Sequence, residues 1–199
     1  MNRDDTGIQP RTILISGGIG TGKTTLRRAA PSHFRTRFGE TAAIDLDDIY
    51  TLIDPEWTQE NEEWGPISCN AAALLAQHFF LHSFQVVVLT GNGLYHPEVN
   101  NLFLKALLPH SQIFHFTLAP ALEAVIARVR QRGDIEEHPP GMLADWLELV
   151  RSHCGLWTHV IDNTHLTPQE TLDVIERRIR GQQNILSELI RDEDVSRIS

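Results

Sequence analysis

Residues Gly17-Gly-Ile-Gly-Thr-Gly22-Lys23-Thr24 directly follow the apolar run Ile13-Leu-Ile-Ser16. The spacing G-x-x-x-x-G-K-T belongs to a phosphate-binding loop. Each residue type has a physical reason. Glycines let successive backbone N–H groups turn inward and form an anion-binding nest. A helix beginning at Lys23 adds free N–H donors and the positive end of its dipole. Gly18, Gly20, Thr21, Gly22, Lys23, Thr24 and Thr25 are therefore expected to grip a polyphosphate. The Lys23 ammonium is suited to the β- and γ-phosphates, and the Thr24 hydroxyl to Mg²⁺, a hard cation that prefers oxygen. A glycine-rich turn without a ligand is the alternative, and the strand-loop-helix context argues against it.

Three further clusters carry chemistry. Asp45-Leu-Asp47-Asp48 puts three carboxylates at the end of a second apolar run. Carboxylates there suit Mg²⁺ binding or acceptance of a proton from a hydroxyl. Asp47 is the first choice for that base, with Asp45 next; the bland alternative makes Asp47 or Asp48 a helix N-cap. Thr90-Gly-Asn92-Gly ends a third run, at a position where glycines allow close backbone approach. Arg128, Arg130 and Arg132 follow a fourth run, with Arg128 and Arg132 one helical turn apart on one face. An arginine beside a transferring phosphoryl group stabilises its charge; a solvated helix face is the alternative. His78 and His82, at i and i+4, lack an acidic third ligand nearby in sequence and read as ordinary histidines.

These residues need a scaffold. Five runs read as strands: 12–16, 41–45, 85–90, 112–118 and 157–162. Most are continuously apolar, which suits strands covered on both faces of a parallel sheet. Helical patterns separate them. Val99, Leu102, Phe103, Ala106 and Leu107 form one stripe, Leu122, Val125, Ile126 and Val129 a second, and Leu143, Trp146, Leu147 and Val150 a third. Pro120 is expected in the first turn of the second helix and Gly133 at its stop. Thr167-Pro-Gln-Glu170 has capping-box spacing. Residues 71–81 are apolar nearly all round, which predicts a deeply packed helix. Alternating strands and helices give an α/β, three-layer fold over residues 11–180, flanked by a tail at 1–10 and a C-terminal helix or tail at 181–199.

The 199 residues fit one domain, and a 41% hydrophobic share supplies a core. A net charge of -9 argues against a nucleic-acid partner, because phosphate backbones attract basic faces. Two distant cysteines, Cys69 and Cys154, read as reduced thiols. The polar N-terminus is unlike a signal peptide, and no apolar run is long enough to span a bilayer, so a soluble cytoplasmic protein is expected.

Taken in order, GGIGTGKTT, DLDD, TGNG, ARVRQR and VIDNTHLTPQE resemble the P-loop kinases of small molecules. That group includes shikimate and gluconate kinases, nucleoside and nucleotide kinases and chloramphenicol phosphotransferase. The resemblance covers roughly residues 11–180. It implies a five-stranded parallel sheet in the order 2-3-1-4-5 and use of ATP with Mg²⁺, held through Thr24 and Asp45. It implies Asp47 as base or substrate anchor, an acceptor bound between the ends of the second and third strands, and Asn163 and Thr164 near the adenine. Arg128 and Arg132 correspond to the lid arginines.

The acceptor region departs from shikimate kinase. Residues 54–66 carry Asp54, Glu56, Glu60, Glu62 and Glu63, two tryptophans and no arginine. An acidic acceptor would need cationic partners, so a neutral or cationic one is expected, with Asp45, Asp48, Trp57, Trp64, Asn92 and Tyr95 around it. Local packing is the other reading of those aromatics. The expected activity is transfer of the γ-phosphoryl group to a small-molecule hydroxyl, by a monomer or homodimer. A nucleotide-binding regulator or NTPase without an acceptor, and a kinase of nucleic-acid ends, are the alternatives.

Overall fold

A computed structural model describes residues 9–58, 61–95, 97–154 and 158–181. Its frame is a five-stranded sheet in the order β2-β3-β1-β4-β5, with β1 Arg11–Gly17, β2 Thr41–Asp45, β3 Val86–Gly91, β4 Gln112–Leu118 and β5 His159–Ile161. All four pairings are parallel. The helices are α1 Lys23–Phe38, α2 Leu46–Thr51, α3 Trp64–Leu81, α4 Pro97–Leu107, α5 Leu122–Arg132, α6 Pro140–Cys154 and α7 Pro168–Arg180.

Period-two alternation in the strands splits the core between the two faces of the sheet. Leu14, Val87, Leu89 and Ile113 face a cluster completed by Ala72, Ala73 and Ala76 of α3 and Phe103 and Leu107 of α4. Ile13, Ile15, Val86, Val88, Phe114 and Phe116 face Leu26, Ala30 and Phe34 of α1 and Leu172, Ile175 and Ile179 of α7. Covering both faces is why these strands read as unbroken apolar runs.

The parallel register places the functional edge. Asp45 pairs with Thr90, Ile15 with Thr90 and Ser16 with Gly91. The carboxyl ends of β2, β3 and β1 therefore finish side by side, the edge where open α/β sheets bind ligands. A Cβ on Gly91 would lie 2.9 Å from Leu46 Cβ, so only glycine lets the end of β3 approach α2 this closely.

The helix signals resolve mostly as expected. Thr167 caps α7 in a complete capping box with Pro168 at its start, and Gly133 ends α5 at φ 87°. Three expectations need correction. Pro120 lies outside α5: Ala121 is the extended N-cap, held by its N–H donating to Thr164 Oγ1 at 2.7 Å. The N-cap of α2 is Asp45, whose Oδ1 accepts from Asp47 N at 3.2 Å, so neither Asp47 nor Asp48 caps it. Helix α3 is not deeply packed. Its Ser68, Cys69, Ala72, Ala73 and Ala76 are buried, while Leu74 is 65% and Leu81 66% exposed. One face meets β3 and α4, and no charged residue marks the outer face.

Cys69 is a free, buried thiol pushed up to about 11 by desolvation. Cys154 ends α6, but its side chain lies outside the described residues, as do residues 1–8 of the expected tail at 1–10 and residues 182–199 of the expected C-terminal helix or tail at 181–199. His78 and His82 are exposed, with ring centroids 4.5 Å apart. Among the described residues the metal-compatible trio is instead His33, Asp173 and Glu176, between α1 and α7. Arg37 and Arg180 already pair with Glu176 there. No described helix is long and apolar enough to cross a membrane.

Candidate active site

The turn from β1 into α1 folds as its glycines demand. Gly17, Gly20 and Gly22 take φ of 149°, 76° and 103°. At Gly20 a Cβ would sit 2.8 Å from Val129 Cγ2 and 2.9 Å from Val125 Cγ1 of α5, so the loop passes against this helix with no room to spare. Thr21 Oγ1 donates to Gly18 O at 2.8 Å and closes the turn.

A cleft of about 360 Å³ opens above this loop. It is lined by Ile19, Gly20, Gly22, Lys23, Thr24 and Thr25 from the loop and α1, by Asp47 from the first turn of α2, by Asn92 just after β3, and by Arg128, Gln131 and Arg132 from α5. Four stretches far apart in sequence thus converge on one cavity, within the size range of small-molecule sites.

Lys23 is buried, and its Nζ donates to Gly18 O at 2.9 Å and to Asn92 Oδ1 at 2.6 Å. Desolvation pulls its pKa down to about 8; Asp47 and Asp45 oppose the fall, and Arg132 adds to it. Asn92 also donates its backbone N–H to Asp47 Oδ1 at 3.1 Å. One residue of the Thr90-Gly-Asn-Gly turn therefore joins the cation to the carboxylate. Burial raises the Asp47 pKa above the ordinary carboxylate range, against the attraction of Lys23 and the Asn92 N–H.

The three aspartates separate into distinct environments. Asp45 is buried, its Oδ2 3.2 Å from Arg27 Nε, and burial raises its pKa. Exposed Asp48 receives Arg27 Nη1. Asp47 alone of the three lines the cleft. Arg27 stands one turn beyond Lys23 on α1. Sequence reasoning missed it, although the i, i+4 spacing from Lys23 would have found it. Gln131 and Ile19 were missed as well, and nothing in their types marks them.

The arginines also divide. Arg128 spans the gap between the phosphate loop and the loop after β5, donating to Asn163 O at 2.8 Å, Thr21 O at 3.4 Å and Thr164 O at 3.5 Å. Asn163 Nδ2 meets the same Thr21 carbonyl at 2.9 Å, and its buried Oδ1 has no partner. Arg132 lines the cleft half-exposed, its Nε 3.8 Å from Asp134 Oδ2.

Other expected site residues stand elsewhere. Trp57, at φ 53°, packs on Tyr50 with ring centroids 4.6 Å apart and donates Nε1 to Thr51 Oγ1 at 3.1 Å. It braces α2 and does not line the cleft. Trp64 opens α3, also off the cleft lining. Asp54 is buried and accepts from Tyr50 Oη and Thr58 Oγ1, so its charge serves the loop. Tyr95 closes a 3-10 turn after β3; its side chain lies outside the described residues.

The cavity fits the groups the motif implies. The loop N–H groups, the Lys23 ammonium and the Arg132 guanidinium would offer donors to phosphates, and the Thr24 hydroxyl and the Asp47 carboxylate would offer hard oxygens to Mg²⁺.

No protein-family model matches the sequence, and no curated protein matches it. Solved structures do match the fold. A tunicamycin resistance protein of Deinococcus radiodurans superposes with TM-score 0.61 at 19% identity, covering 86% of this chain and 96% of that one. A shikimate kinase of Acinetobacter baumannii, in complex with shikimate, gives 0.57 at 19%, covering 88% and 96%. A gluconokinase of Sinorhizobium meliloti gives 0.57 at 15%, covering 93% and 98%. With the 2-3-1-4-5 sheet, these likenesses establish that the chain has the fold of the P-loop kinases of small molecules.

Proposed function

We propose that the protein is an ATP-dependent phosphotransferase that moves the γ-phosphoryl group to a hydroxyl of a small molecule. The observation that carries this reading is the Lys23–Asn92–Asp47 chain. It links a phosphate-binding cation to a cleft-facing carboxylate of raised pKa in one cavity. An NTPase also needs a group that positions its attacking water, so acceptor-dependent turnover is what separates the two readings.

In this reading the loop N–H groups and Lys23 hold the polyphosphate, and Thr24 holds Mg²⁺. The acceptor hydroxyl lies against Asp47, which orients it and takes its proton as the new O–P bond forms and the bond to the leaving oxygen breaks. Arg132 faces the charge on the transferred group. Arg128 braces the lid helix against the loop after β5, where Asn163 and Thr164 flank the adenine side. Catalysis is then mostly positioning and electrostatic stabilisation. The cleft lining includes the Asp47 carboxylate beside the Asn92 amide, and a neutral or cationic acceptor suits that carboxylate better than an acidic one. The structurally similar kinases support the same reaction class.

The test is nucleotide turnover against a panel of polyols, sugars, nucleosides and amino alcohols, with Lys23→Ala and Asp47→Asn as variants. Acceptor-dependent turnover should fall by about a hundredfold or more in each, as when a principal transition-state contact is lost. Slow phosphate release that no acceptor accelerates, or transfer indifferent to Lys23, refutes the reading.

A further inference from the structure

Trp57 stands in a backbone conformation that its residue type does not choose. Its φ is 53°, in the left-handed region, where a bulky aromatic residue is an outlier. Glycine adopts this region freely. Such strain persists where surrounding contacts over-determine it, and it gathers at functional sites. The contacts around Trp57 all lead to α2. Its backbone N–H donates to Asp54 O at 3.2 Å, and Asp54 in turn accepts from Tyr50 Oη at 3.4 Å. Its ring packs on Tyr50, and its indole N–H donates to Thr51 Oγ1 at 3.1 Å.

Thr51 passes the contact on. Its hydroxyl accepts from Trp57 and donates to the backbone carbonyl of Asp47, one turn back, at 2.9 Å. Asp47 is thus held at two points. The Asn92 N–H holds its carboxylate from just beyond β3, and Thr51 holds its main chain from the last residue of α2. Helix α2 has six residues, too few for a helix to be stable alone. The sheet anchors its start through the Asp45 cap and the buried Leu46. At its other end Thr51 and Leu52 are exposed, and Trp57 folds back over Thr51.

We propose that Trp57 is a positioning residue for Asp47, acting through the Thr51 hydroxyl. This rests on the reading of Asp47 as the group that receives the acceptor's proton. The indole does not line the cleft. Its part is to fix the Asp47 carbonyl, and with it the direction in which the side chain leaves α2 towards Asn92. Placement matters because a misplacement of about 1 Å caused far from the chemistry can cost about a hundredfold in rate. A tryptophan kept at positive φ, with its one polar atom spanning six residues to the helix that bears the carboxylate, is explained by that task.

The first readout needs no acceptor. The Asn92 amide proton, bonded to the Asp47 carboxylate, resonates downfield in spectra of the ¹⁵N-labelled full chain, and Asp47→Ala marks its place without that acceptor. Thr51→Val and Trp57→Ala should each move it most of the way to that mark, while the amides of Val87 and Leu89 in β3 stay put. Thr51→Ser keeps the hydroxyl and should keep the wild-type position. Trp57→Phe keeps the ring on Tyr50 but loses the N–H, and should fall between. Trp57→Gly relieves the backbone; it should melt no lower than Trp57→Ala yet shift the resonance as far. The second readout is acceptor-dependent turnover. In Thr51→Val, kcat should fall about tenfold or more with the Kd for MgATP unchanged, and the change should add nothing to Asp47→Asn. An Asn92 resonance unmoved in Thr51→Val and Trp57→Ala overturns the inference. So does a Thr51→Ser shift as large as that of Thr51→Val, or movement of Val87 and Leu89 in step with Asn92. Turnover that needs Asp47 but ignores Thr51→Val overturns it too. If the resonance moves as stated and turnover ignores Asp47→Asn, the positioning stands and the reading of Asp47 as proton acceptor falls.

Discussion

Lys23 offers the sharpest test of the site, because its burial makes phosphate binding a proton-linked event. In the free protein its pKa is about 8, with desolvation the dominant cause. A polyphosphate beside the ammonium favours the charged form and should restore the pKa to above 10. The free lysine is about one-tenth neutral at pH 7, half neutral at pH 8 and nine-tenths neutral at pH 9. Binding should therefore take up about 0.1 proton at pH 7, about 0.5 at pH 8 and about 0.9 at pH 9. The sign follows: affinity falls as pH rises through 8, by about tenfold between pH 7 and pH 9. Terminal phosphates, with a second pKa near 6, are already deprotonated in this window. The measurement is calorimetric titration of a non-hydrolysable MgATP analogue in buffers of different ionisation enthalpy, where the slope gives the protons taken up. Lys23→Arg carries a cation that does not titrate here and should lose the linkage while keeping a charge. Uptake at pH 9 no larger than at pH 7, or linkage that persists in Lys23→Arg, refutes the argument.

Other consequences follow from single positions. His115 is buried with its pKa lowered to about 3 by desolvation; the unfolded chain binds this proton and the fold does not. Stability is therefore intact above pH 6.5 and should drop by about 2 kcal/mol on going to pH 5, a slope that His115→Gln removes in urea melts. Gly20→Ala drives a methyl into Val125 and Val129 at positive φ; a strain of about 1–3 kcal/mol should lower the melting temperature and weaken nucleotide binding at least tenfold. Wild-type affinity in that variant would show that α5 yields freely. Asn92→Ala removes the 2.6 Å contact to Lys23 but keeps the backbone donor to Asp47. Loss of a charge-assisted bond worth about 1.5–3 kcal/mol to a buried cation should lower the melting temperature, and a Lys23 no longer held in place should lower kcat/KM by about tenfold for each 1.4 kcal/mol of transition-state stabilisation lost.

The legible parts of this chain are those where local chemistry dictates residue type at fixed spacing. The phosphate loop is one, since its nest requires glycines and its cation must stand at the first turn of α1. The Thr167–Glu170 box is another, because its reciprocal bonds form within four residues. The β-runs were readable because both faces of the sheet are covered. Helix α3 misled because apolar residues face outward as well as inward, and composition cannot tell a core face from an uncovered one. Trp57 misled for a related reason. Its ring has a nearer partner in Tyr50, and sequence gives no distances.

The aspartates show most clearly what spacing leaves undecided. Asp45, Asp47 and Asp48 are nearly equivalent as a string. What separates them is Arg27, eighteen residues upstream, which reaches Asp45 and Asp48 from α1. A carboxylate paired with a guanidinium is neutralised and fixed. Asp45 further spends its other oxygen on the first turn of α2. Asp47 escapes both fates: the turn of α2 that Asp45 caps rotates it towards the cleft, where Asn92 meets it from β3. The aspartate left facing the cleft is thus set apart by a cation that does not line the cavity. An Arg27→Ala variant should therefore disturb the carboxylate cluster as a unit, and its activity loss should resemble that of Asp47→Asn more than that of Asp48→Asn.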